Sequence, residues 1–170
     1  MAPASELIVL TTLGVGLICA TLVDLRERRI PNVVCGAMAA AGLALSATGL
    51  GNITVASSLA GLVIGAAMML PGHILGATGA GDVKLFAAAG TLLGSGRMVP
   101  AFLCVAIAGG ALALIVAWRR GRVGRTMQLT AGLVGRTGGV KATVESQTEH
   151  NRFAYGPAIA AGCLIAAWIR

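Results

Sequence analysis

Charge is scarce in this sequence. Only 11% of its 170 residues are Asp, Glu, Lys or Arg, against about 25% in a soluble globular domain. Aromatic residues are scarce too, at 4%, which argues against a surface that stacks nucleic-acid bases even though the formal net charge is +7. The four cysteines, Cys19, Cys35, Cys104 and Cys163, stand far apart in apolar stretches with no Cys-x-x-Cys pair. A zinc site is therefore not expected, and they read as small apolar residues between helices. With two histidines, His73 and His150, the chain offers no Ser-His-Asp set. Neither a metal nor a cofactor is called for.

What the chain has in excess is apolar sequence, 56% of residues, gathered in runs rather than in amphipathic stripes. Six runs stand out: Leu7 to Val23, Val33 to Leu50, Val55 to Leu75, Leu85 to Leu93, Pro100 to Trp118 and Phe153 to Ile169. A bilayer-spanning helix needs about 20 apolar residues. An all-α polytopic membrane protein of about six transmembrane helices, forming a single domain over residues 1–170, is the expectation. The fourth run is short unless the helix starts earlier, at Asp82. The break between runs four and five is expected at Gly94-Ser-Gly96 with Pro100. A short helix 4 is tolerable only where its backbone is buried in protein or faces a watery cavity. The first charge is the acidic Glu6 and the first basic residue is Arg26, so the opening run reads as a retained helix rather than a signal peptide.

Basic residues confirm the count of spans. All of the 13 Lys and Arg residues except Arg97 and Arg170 fall in the first, third and fifth connections, at residues 24–32, 76–84 and 119–152. The positive-inside rule then puts those connections in the cytoplasm and both termini on the other side. The long basic loop at about 119–152 reads as a tether or a segment lying against anionic lipid, with contact to a substrate as the other possibility.

Among the six acidic residues, Glu6, Glu27, Glu145 and Glu149 lie at a terminus or in basic connections. The remaining two, Asp24 and Asp82, each abut an apolar run at the same membrane face. An ionisable group at membrane depth is costly and marks a functional site. Either one alone could be a helix-end residue, Asp82 as an N-terminal cap favoured by the helix dipole. Together, two carboxylates brought close would share one proton. The charged member would act as base on a water and the neutral member as acid, which is what peptide hydrolysis needs. Ahead of Asp82 stand Gly79 and Gly81, which permit a tight turn and close approach. Lys84 follows and could pair with a carboxylate or a lipid phosphate, the phosphate being favoured.

Three stretches carry a family resemblance: Asp24-Leu-Arg-Glu-Arg-Arg-Ile30-Pro31-Asn32, Gly79-Ala-Gly81-Asp82-Val-Lys84, and Tyr155-Gly156-Pro157 at the start of the last run. The chain resembles the bacterial type IV prepilin peptidases, GxGD intramembrane aspartic peptidases, and within them the short form serving tight-adherence (Flp-type) pili. The resemblance implies Asp24 and Asp82 as the catalytic pair. It also implies a prepilin substrate cut at the cytoplasmic face of the bacterial inner membrane, after a Gly at the end of its leader. Many relatives have Pro where Ala154 stands. The cysteine-tetrad insertion of the longer, methylating relatives has no counterpart here, so cleavage without methylation is expected. Presenilin-like enzymes share Gly-x-Gly-Asp but build their first motif differently. Two other readings compete. A non-catalytic scaffold of a pilus or secretion system would have no need of both aspartates. A small transporter would place polar groups near mid-membrane rather than at one edge.

Overall fold

The computed structural model describes residues 4–51, 53–76, 78–119 and 155–168. Six α-helices lie among them: α1 (Ala4–Glu27), α2 (Asn32–Ala47), α3 (Val55–Ile74), α4 (Ala80–Leu93), α5 (Met98–Arg119) and α6 (Gly156–Trp168). A 3₁₀ turn, Ser95–Arg97, joins α4 to α5. No strand occurs among the described residues. Each apolar run of the sequence corresponds to one helix. The basic loop, beyond Arg119, lies outside the described residues.

The helices differ from the runs at their ends. Helix α1 continues past Val23 to Glu27, so Asp24 lies inside its last turn rather than closing it. The chain then leaves through Arg28, a non-glycine residue in the left-handed region at φ 52, whose N–H donates to the Asp24 carbonyl at 2.9 Å. Pro31 caps α2 in extended conformation, the backbone a proline prefers and a helix start tolerates. Helix α4 begins at Ala80, so Asp82 is indeed helical. The break before α5 is made by Gly94 at φ 74. Pro100 sits in the first turn of α5, where a missing N–H costs nothing.

Helices α1 and α3 and the stretch Ser95–Ile115 are long and apolar enough to cross a bilayer. Helices α2 and α6 are shorter than expected, at 16 and 13 residues. Helix α4 has 14 residues, about 21 Å at 1.5 Å per residue, less than the roughly 30 Å hydrocarbon core. Its position resolves the difficulty. From Leu85 to Leu93 every α4 residue is buried, with α1, α2, α3 and α6 packed around it. Along Leu85–Leu93 the helix presents no exposed face. Where α3 and α4 cross, a Cβ on Gly61 would overlap the Gly90 carbonyl, and a Cβ on Gly90 would overlap that of Gly61. Backbone meets backbone, as small residues allow between membrane helices. The Ser58 hydroxyl reinforces this crossing by donating to the Thr91 carbonyl at 2.7 Å.

The outer helices are two-faced. On α1, Leu13, Leu17, Ala20 and Asp24 are buried, a single stripe at helical spacing. Val15, Ile18, Leu22 and Leu25 are all more than half exposed, an apolar outer surface suited to lipid. This is a helical membrane protein. Asp24 occupies the inward stripe of α1 rather than its lipid side.

Candidate active site

Asp24 and Asp82 reach the same end of the bundle from different helices, and both are buried. Asp82 lies in the first turn of α4. Its Oδ2 accepts the Gly79 N–H at 2.8 Å, the carboxylate half of a capping box. Glycine has no side chain to complete the reciprocal half. The positive end of the α4 dipole further favours a carboxylate there.

Asp24 has the opposite problem, for the carboxyl end of α1 repels an anion. The compensation comes from another helix. Asp24 Oδ2 accepts the N–H of Gly156, the first residue of α6, at 2.9 Å. Pro157 carries no N–H, and the amides of Ala158 and Ile159 turn back to the Tyr155 carbonyl. Gly156 therefore offers the one free amide at this helix start, and Asp24 takes it. A side chain at Gly156 would intrude, since its Cβ would lie 2.8 Å from Asp24 Oδ2. Each carboxylate is thus held through Oδ2 by one glycine N–H at a helix N-terminus. No hydrogen bond among the described residues joins the two carboxyl groups or occupies either Oδ1.

The flanking motif residues dock the two segments together. A Cβ on Gly81 would stand 3.0 Å from Ile30 Cβ, so the segment before α2 packs directly on the first turn of α4. Lys84 Nζ donates to Asn32 Oδ1 at 2.9 Å on the exposed side of this junction. Lys84 thus meets an amide oxygen within the protein, a partner the sequence did not suggest. Asn32, Cys35 and Lys84 line a cleft of about 320 Å³ between α2 and α4. The Tyr155 ring packs on α5, where a Cβ on Gly109 would overlap its hydroxyl. All three sequence stretches therefore converge at one end of the bundle.

A sequence model of the type IV leader peptidase family matches residues 11–114. The chain belongs to that family. The match runs from α1 through most of α5 and ends before Tyr155-Gly156-Pro157, so the hydrogen bond from Gly156 is what ties α6 to the matched region. No curated protein and no solved structure gave a significant match. Membership indicates a peptidase, aspartic in type, that works in a membrane and acts on a prepilin-type substrate.

Two residues of this site went unnoticed in the sequence. The hydroxyls of Thr21, one turn before Asp24, and Thr78, just before Gly79, are the side-chain polar atoms buried without a partner among the described residues. Sequence offers no signal for them, because a helical threonine ordinarily returns its hydroxyl to a carbonyl one turn back.

Proposed function

We propose that this family member is an intramembrane aspartic endopeptidase that removes the leader of Flp-type prepilins at the cytoplasmic face, with Asp24 and Asp82 as its catalytic pair. The observation that carries the reading is the shared mode of anchoring. Two buried carboxylates on different helices are each fixed through Oδ2, with Oδ1 left for chemistry. Neighbouring carboxylates resist double ionisation, so the pair holds one proton at working pH. The ionised member removes a proton from a water molecule, whose oxygen attacks the scissile carbonyl carbon. The protonated member donates to the carbonyl oxygen as the tetrahedral intermediate forms. When the C–N bond breaks, a proton passes to the departing amine and the pair returns to its singly protonated state. The products are the leader's new carboxyl end and the pilin's new amine.

Burial supports this chemistry, because a hydrogen bond or proton transfer is worth more where water is excluded. The bias of basic residues toward the connections at this end supports a cytoplasmic site. The family resemblance implies a basic leader, which the basic connections would not attract, so recognition rests on the substrate's helix and on the carboxylates.

The test is cleavage of a co-expressed Flp-type prepilin in membranes, read as a gel shift. Asp24→Asn and Asp82→Asn, at protein levels matching the wild type, should each lower the rate by at least about 100-fold. Cleavage by both variants at the wild-type rate would remove the dyad. A wild type that cuts none of several Flp-type prepilins would leave a scaffold role in its place.

A further inference from the structure

Asp82 is held by the N–H of Gly79, and glycine is the residue whose backbone is least fixed by its own sterics. Gly79 lies exposed at the start of α4. Its carbonyl accepts the N–H groups of Asp82 and Val83, which ties down only the far side of the residue. The peptide group between Thr78 and Gly79, whose N–H meets Asp82 Oδ2, needs a restraint of its own. The Thr78 side chain supplies none. Its hydroxyl is buried without a partner among the described residues, beside a cavity of about 110 Å³ that Thr78 and Tyr155 both line.

The restraint comes from α3. His73, in the last turn of that helix, brings Nδ1 to 3.1 Å from the Thr78 carbonyl oxygen. A carbonyl oxygen only accepts, so the ring carries a hydrogen on Nδ1. A planar trans peptide points its C=O and N–H in opposite directions. His73 and Asp82 therefore grip opposite edges of one peptide group, the ring at the oxygen and the carboxylate at the N–H. Donation to the oxygen also polarises the amide and strengthens its N–H as a donor. Backbone bonds bring the loop to the ring. The Gly76 N–H donates to the His73 carbonyl at 3.0 Å, with Gly76 at φ 75, and the Thr78 N–H donates to the Gly72 carbonyl at 3.2 Å. His73 itself is exposed, so packing does not call for the ring.

We propose that His73 is a positioning residue for Asp82. It holds the Thr78–Gly79 peptide group so that the Gly79 N–H stays aimed at Asp82 Oδ2, which fixes Oδ1 as the oxygen left for chemistry. The proposal rests on the peptidase reading above. It gives the first turn of α4 a support that reaches across the loop from α3, as Gly156 of α6 supports Asp24.

The experiment compares wild type with His73→Leu and His73→Asn, replacements alike in shape of which only Asn can donate from the place of Nδ1. Prepilin cleavage is followed with the full chain in membranes at equal protein level. His73→Leu should lower kcat about tenfold with KM nearly unchanged, because substrate still binds while the carboxylate is misaimed. His73→Asn should recover most of that loss. An unchanged kcat in His73→Leu, a change confined to KM, or a His73→Asn variant as slow as His73→Leu would each overturn the proposal. The hydrogen bond itself is read without substrate, from the ring ¹⁵N shifts of His73 in detergent at alkaline pH, with His150→Gln leaving a single labelled histidine. The Nδ1–H tautomer should dominate, and a ring protonated mainly on Nε2 would also overturn the proposal. A wild type that shows the Nδ1–H ring but cuts no prepilin would remove the peptidase reading, and the positioning role with it.

Discussion

The N–H of Gly156 donates to Asp24 Oδ2 at 2.9 Å, joining residues 132 positions apart. Through this bond the start of α6 supplies the favourable dipole end that α1 denies its own aspartate. The last helix is thereby part of the site rather than a closing wall of the bundle.

Gly156→Ala should weaken cleavage without preventing membrane insertion. The added methyl would stand 2.8 Å from Asp24 Oδ2 and 3.2 Å from Asp24 Cβ, forcing α6 and the carboxylate apart. Overpacking of this kind costs about 1–3 kcal/mol. A fall in kcat of about tenfold or more is expected in a leader-cleavage time course at equal protein level. An unchanged rate would mean that the contact is incidental.

A pair of carboxylates sharing one proton predicts a bell-shaped pH profile. Activity falls at low pH as the base is protonated and at high pH as the acid is lost. Initial rates of cleavage in detergent, measured across pH at constant ionic strength, should show both limbs. A profile flat on the acid side would argue against a carboxylate base.

Gly81 and Ile30 should be energetically coupled. Gly81→Ala brings a methyl to 3.0 Å from Ile30 Cβ and should destabilise the junction of the two motif segments. Added to Ile30→Gly, which removes that Cβ, the same change should cost less. A coupling energy of about 0.5–3 kcal/mol is expected from a double-mutant cycle on thermal unfolding in detergent, and simple additivity would contradict the contact.

The crossing of α3 and α4 should tolerate almost nothing at its centre. Gly90→Val would drive a branched side chain into the Gly61 carbonyl. Loss of the folded form is expected, read as aggregation in size-exclusion chromatography and faster proteolysis. Lys84→Gln removes only an exposed bond to Asn32 and should change stability by no more than about 1 kcal/mol.

The helical architecture was open to reading because its signals are local. A run of apolar residues declares a membrane helix from composition alone, and all six runs became helices. Asp24 and Asp82 stood out for a related reason, since a carboxylate beside such a run is costly wherever it lies. Helix ends were less legible. Arg28 in a left-handed turn carries no glycine to announce it, and α1 extends through charged residues that hydropathy would assign to a loop. Thr21 and Thr78 were invisible, since nothing in the sequence separates an orphaned hydroxyl from one bonded to its own helix.

By itself the sequence determined that this chain is a bundle of membrane helices with two candidate acids beside its apolar runs, and it carried the motifs of a leader peptidase. Those conclusions need only the cost of placing each residue in lipid or water, which adds up along the chain. Only the tertiary structure decided which helix N-terminus holds Asp24, that Lys84 binds Asn32, that Leu85–Leu93 of α4 is buried within the bundle, and that Thr78 and Tyr155 line one cavity. Each of these depends on which surfaces meet across long stretches of chain, a matter of close packing around residues such as Gly61, Gly81 and Gly156.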